Sequence, residues 1–77
     1  MTKNFTAIIE KDPESGMYVG IVPHLTGAHT YAATLDELQV RLAEVITLCL
    51  EEMEPEEIAA LPVFAGITQI EVPVCQN

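Results

Sequence analysis

Basic residues are nearly absent from this sequence. Its 77 residues include three, Lys3, Lys11 and Arg41, against twelve acids, for a formal net charge of −9 at pH 7. Proteins that grip nucleic acid cluster Lys and Arg to displace counterions from phosphates. Three scattered bases argue against a direct nucleic-acid partner, and an anionic lipid surface is disfavoured for the same reason. Two explanations of the acidity remain open: a basic protein partner steered by complementary fields, or a charge that only keeps a small domain soluble. Cysteine is scarce as well. Cys49 and Cys75 do not form a close pair, and no secretory-type apolar stretch opens the sequence, so no disulfide framework is expected and a cytoplasmic location is. No apolar run approaches the roughly 20 residues that span a bilayer, so no membrane partner is expected.

Catalytic and metal signatures are also missing. His24, His29, Cys49 and Cys75 lack the paired-cysteine spacing of a zinc site, so no metal or other cofactor is expected. There is no nucleophile elbow and no glycine-rich phosphate loop. Carboxylates are so numerous that no one pair stands out as a general acid and base. The expectation is that the chain is not an enzyme.

What is present is a globular pattern. Hydrophobic residues make up 49% of the chain, too many for a disordered segment. Residues 1–77 are expected to form one domain. A domain this small buries only roughly 60% of the surface its unfolded chain exposes. Self-association into a homodimer or tetramer is a common remedy and is expected here.

Phe5 to Lys11 reads as a strand, with Phe5, Ala7 and Ile9 on one face. Asp12-Pro13-Glu14-Ser15-Gly16 gathers turn-forming residues, and Met17 to Val22 forms the return strand of a hairpin. A loop, Pro23-His24-Leu25-Thr26-Gly27, leads to a short third strand over Ala28 to Ala32. Thr34 followed by Glu37 forms a capping-box pattern. From there Leu35, Leu38, Leu42, Val45, Cys49 and Met53 repeat at three- and four-residue steps, predicting a helix of about 19 residues. Its second half carries additional apolar residues at Ile46, Leu48 and Leu50. Glu51, Glu52, Glu54, Glu56 and Glu57 form an acidic run broken by Pro55, with a further helical turn expected over Glu56 to Leu61. Ile67 to Val72 alternates and reads as a fourth strand. The fold class is therefore α+β, ordered β-β-β-α-β: one mixed sheet, strand order 3-2-1-4 expected, with one long helix packed on one face.

The order of particular residues carries more. Phe5-Thr-Ala-Ile-Ile-Glu-Lys11, an Asp and Gly turn, Gly16-Met-Tyr-Val19, Pro23-x-Leu25-x-Gly27 and Thr34-Leu-Asp-Glu37 at a helix start together resemble the N-terminal domain of HicB-type antitoxins. The resemblance covers residues 5 to about 53. Thr26 stands where the family loop has a second proline, Ala28 where a cysteine is common, Leu38 where the helix start has alanine, and Arg41 where asparagine is frequent. The resemblance implies a partial ribonuclease-H-like fold and a non-catalytic role: masking a small basic toxin of HicA type, which cleaves messenger RNA with a histidine. Antitoxins of this family usually append a DNA-binding module, and after the last expected strand only Pro73-Val-Cys-Gln-Asn77 follows, so operator binding by this chain is not expected. Glu51, Glu52, Glu54, Glu56 and Glu57 are the candidate toxin contacts, with a solvated helix end as the plainer explanation. Pro23, Leu25, Gly27, Thr34 and Glu37 are expected to be structural. A solitary homo-oligomeric domain binding a ligand or protein unrelated to toxins is the alternative, and a vestigial metal-dependent nuclease is a third reading resting on fold analogy alone.

Overall fold

Asp12 builds the first chain reversal. Its carboxylate accepts from the Ser15 hydroxyl at 2.6 Å and the Ser15 backbone N–H at 3.0 Å. The Met17 N–H in turn donates to the Ser15 hydroxyl oxygen at 3.1 Å. Gly16 takes a φ of +74°, which an L side chain adopts only at a cost. Its N–H donates to the Asp12 carbonyl at 2.8 Å, and the Asp12 N–H donates to the Met17 carbonyl at the same distance. These local bonds set the register of a hairpin between β1 (Ile8–Lys11) and β2 (Tyr18–Ile21), with Ile8 opposite Ile21 and Lys11 opposite Tyr18.

The Ser15 hydroxyl, followed by its backbone N–H, holds the Asp12 carboxyl below the ordinary aspartate range. A folded-state pKa depressed in this way contributes stability that is present above the unfolded value of about 3.9 and lost as pH falls through the folded value. Urea midpoints measured at pH 7 and pH 3 should therefore converge in Asp12→Asn relative to the parent chain. An unchanged gap would show that the turn carboxylate contributes nothing to acid sensitivity.

The structure, a computed structural model, describes residues 3–75. After β2 the chain closes a tight loop in which the Val22 N–H donates to the Ala28 carbonyl at 2.8 Å. β3 (His29–Ala32) then pairs antiparallel with β2, placing Val19 opposite Tyr31 and Gly20 opposite Thr30. The side chain of Thr34 accepts from the Glu37 N–H at 3.2 Å and opens α1 (Leu35–Glu51). The Glu37 side chain does not complete a reciprocal box; it pairs with Arg41 at 2.6 Å. Arg41 also donates to the Tyr31 carbonyl at 2.7 Å, tying the helix to β3.

α1 stops after 17 residues, short of the expected 19. Pro55 is the reason: it disfavours helical backbone at the residue before it, and Glu54 is extended at φ −76°, ψ 153°. Pro55 then occupies the first position of α2 (Pro55–Ala59), where its missing N–H costs nothing.

The helix lies over β3 and β2. Val22, Leu25, Ala28, Ala32, Leu38 and Leu42 form the buried core, and Phe5, Ala7, Tyr18, Val45, Ile46, Cys49, Leu50 and Met53 pack around it. Leu35, expected on the same face, is exposed. The helix-facing set is Tyr18 and Gly20 on β2, continued by Val22 just after the strand. Gly20 is where the helix comes closest, since a Cβ built there would sit 2.8 Å from Leu42 Cδ1.

The sheet corrects one expectation. Among the described residues it has three strands in the order β1-β2-β3, all antiparallel. Ile67 to Val72 forms no strand, so the α+β class stands but the mixed sheet of order 3-2-1-4 is not formed among the described residues. Alternation measures a segment's capacity to be half-buried; it does not specify which edge receives it. Here residues 62–75 form neither helix nor strand and are exposed, Val63 to 90%, while Pro62 and Phe64 line a small pocket with Phe5, Val22 and His24.

Candidate partner-binding surface

The acidic run is brought together at the junction of the two helices. Glu51 ends α1, Glu52 is its C-cap, Glu54 is the N-cap of α2, and Glu56 and Glu57 lie in the first turn of α2. All five are exposed. The backbone explains the crowding: the Glu52 and Met53 N–H groups donate back to Cys49 and Leu50, and the proline restarts a helix two residues later. The Glu57 carboxylate accepts from the Glu54 N–H at 2.9 Å, so these two residues also shape the turn. Glu51, Glu52 and Glu56 have no such local task among the described hydrogen bonds.

The Pro23–Gly27 loop meets this ridge. His24, Leu25 and Thr26 line one side of an open groove of about 390 Å³, and Cys49, Glu52, Met53 and Glu57 line the other. Leu25 is buried and anchors the loop, while Gly27 takes a φ of +79°. Pro23 is exposed at the loop's start. Thr34 and Glu37 lie at the other end of α1, at its cap and in its ion pair with Arg41. Of the residues singled out from the sequence as candidate contacts or as structural, Leu25, Glu52 and Glu57 share the groove, while Glu51, Glu54, Glu56, Pro23, Gly27 and the helix-cap residues are not part of its lining. The groove could not be read from sequence, because His24 and Cys49 are 25 positions apart and no local pattern links them.

The three bases lie apart from one another. Lys3 donates to the Ile58 carbonyl at 3.1 Å. The Lys11 ammonium sits 5.4 Å from the Tyr18 ring centroid, within cation–π range. Arg41 is held by Glu37 and the Tyr31 carbonyl. Among the described residues no three His, Cys, Asp or Glu side chains converge as a metal site would require. No helix among them is long and apolar enough to cross a membrane.

The sheet's other face, expected to be left to water or to a partner, is a second surface whose residues the sequence did not identify. The sheet face opposite α1 carries Ile8 of β1, Val19 and Ile21 of β2, and Tyr31 of β3, and Tyr31 is 60% exposed. Both alternating sets of β2 are apolar, so periodicity alone did not say which faces the helix. Gly20 was the available signal, because a glycine inside a strand often marks the close approach of another element.

Comparison with known proteins places the chain among relatives of its own size. It is 47% identical over 70 residues to a UPF0150 protein of Thermotoga maritima, covering 91% of each chain. It is 41% identical over 70 residues to one of Synechocystis sp., covering 91% of this chain and 96% of the relative. A UPF0150 protein of Archaeoglobus fulgidus shares 46% identity over 68 residues, or 88% of this chain and 93% of the relative. No protein-family model matches the chain. No solved structure matches it. With identity at this level over nearly the whole length, the chain belongs to the UPF0150 family.

Proposed function

We infer that this chain is a non-catalytic protein-binding domain of the HicB antitoxin type, which masks a small basic RNA-cleaving toxin of HicA type in the cytoplasm. The single observation that carries the reading is the exposed acidic run of Glu51, Glu52, Glu54, Glu56 and Glu57 at the helix junction, of which Glu52 and Glu57 line a groove with His24, Leu25 and Thr26. A cationic RNA-binding surface is attracted by carboxylates as it is by phosphates. Lys3, Lys11 and Arg41 are scattered and engaged, which supports a protein partner over direct contact with nucleic acid. The fold that accompanies this reading is a partial ribonuclease-H-like sheet, in which the position beside β1 is not filled by the chain's own residues 67–72.

The test is binding and inhibition. The chain is titrated into the small basic protein encoded beside it, and RNA cleavage by that protein is followed. Neutralisation with an affinity that falls as salt rises is the expected result. Glu51→Gln, Glu52→Gln and Glu56→Gln together leave the Glu54–Glu57 turn intact and should weaken binding on the order of tenfold, mainly through slower association. No complex, or a complex indifferent to both salt and the triple substitution, would remove the reading.

The alternative is a homo-oligomeric domain that binds a ligand or protein unrelated to toxins. The outer sheet face, where Ile8, Ile21 and Tyr31 are exposed around Val19 beside Glu10 and His29, favours it. Under either reading the self-associated form is a homodimer or tetramer.

A further inference from the structure

We propose that the tail over residues 67–75 is an exchange strand, which leaves its own chain and pairs with the β1 edge of a second copy, whose tail returns the contact. This extends the self-association named above to a defined surface and stands on geometry that does not depend on a toxin partner.

The chain exposes more than a folded monomer of its size should. Its accessible surface is 6515 Å². A compact monomer of 8.4 kDa is expected to expose about 4,600 Å². The excess, about 1,900 Å² per copy, exceeds the roughly 800 Å² that each partner contributes to a standard stable interface. The radius of gyration is 15.2 Å, against about 11.5 Å for a compact chain of this length. The largest extent, 51 Å, is nearly twice the next, 27 Å.

The tail itself is patterned for one buried face. Ile70, Val72 and Val74 alternate with Gln69, Glu71 and Pro73, and Ile70 is 75% exposed. Backbone groups alternate in direction as side chains do. Pro73 has no N–H to donate, so its set must face away from the pairing edge, and the set of Ile70, Val72 and Val74 supplies the ladder bonds. A proline placed this way is the ordinary condition of an edge strand, which the tail becomes once it joins β1.

The receiving edge is prepared. Among the described residues β1 has a neighbour on one side only, and the helix lies over β3 and β2. This leaves beside β1 an open groove of about 440 Å³ lined by Phe5, Ala7, Ile9, Leu42, Ala43 and Ile46, with Gln39 at its margin. A strand added to β1 with Ile70 and Val72 facing the helix layer fills that groove. Reciprocal exchange uses the same two patches on both copies and closes as a two-fold dimer rather than a filament.

The test uses the full chain in solution. Light scattering should give a dimer mass at micromolar concentration, with slowed hydrogen exchange at the amides of Ile70 and Val72. In a sample mixing isotope-labelled and unlabelled chains, the methyls of Ile70 and Val72 should show contacts to Leu42 and Ile46 of the other copy. Ile70→Lys with Val72→Lys alters side chains exposed in the single chain, so its far-UV spectrum should be kept while the dimer dissociation constant rises at least a hundredfold. A monomer at 100 µM, a monomer with protected tail amides (the strand folding back on its own β1), or a dimer whose tail exchanges freely would each overturn the proposal. A dimer that ignores the basic toxin removes the functional reading and leaves this one standing; a monomer that binds the toxin does the reverse.

Discussion

Leu38→Ala should bring the domain close to unfolding. Leu38 is the largest side chain with no exposed surface. Truncating such a residue costs about 2–5 kcal/mol, through lost transfer energy and the cavity left behind. At about 0.05–0.15 kcal/mol per residue, a chain of 77 residues has a total stability of only about 4–12 kcal/mol. Urea unfolding followed by circular dichroism should show a lowered midpoint with little change in slope. Leu48→Ala, on the same helix but 62% exposed, should stay within about 0.5 kcal/mol of the parent. Equal losses at the two positions would mean that the helix presents a different face to the sheet.

The second large effect is expected at Gly20. Valine is among the best strand formers, and on propensity alone Gly20→Val should help by up to about 1 kcal/mol. Packing decides otherwise. The new Cβ would lie 2.8 Å from Leu42 Cδ1 and 3.0 Å from Cδ2, and overfilling a core site costs about 1–3 kcal/mol. A net loss is therefore expected. The decisive measurement is the double substitution: with Leu42→Ala already in place, the valine fills vacated space and its cost should shrink or reverse, giving a coupling of about 0.5–3 kcal/mol. Simple additivity would show that Leu42 turns aside freely and that the close approach is not a constraint.

These two positions mark how far the sequence could be read. The helix was legible because Leu38, Leu42, Val45 and Cys49 repeat at its period and Thr34 announces its start, although the same repeat ran on to Met53, beyond the helix end at Glu51. The first hairpin was legible because Asp12, Ser15 and Gly16 each have a local task in the turn. The inner face of β2 was not, since Tyr18 and Val22 compete with Val19 and Ile21 on equal terms and only Gly20 separates them. The fourth strand was misplaced for a different reason. Ile70 and Val72 have the right alternation, but strand pairing is a property of two segments, and nothing local to 67–72 names its partner. The acidic run was visible residue by residue, yet its meeting with His24 and Leu25 depends on how the loop after β2 packs on the end of α1. That arrangement is set by the burial of Leu25, which no periodicity reports.

The connectivity of the sheet has a consequence in time. Each of β1, β2, β3 and α1 packs chiefly on the element next to it in the chain, so most of the ordering closes short loops. Chains ordered by such neighbouring contacts fold faster than those built from distant strand pairings. Meeting a second copy is bimolecular and slows with dilution. A newly made chain would therefore complete its three strands and helix first and for a while carry an unsatisfied β1 edge. In that interval whichever extended apolar segment arrives first takes the edge, so the local concentration of identical copies sets the outcome.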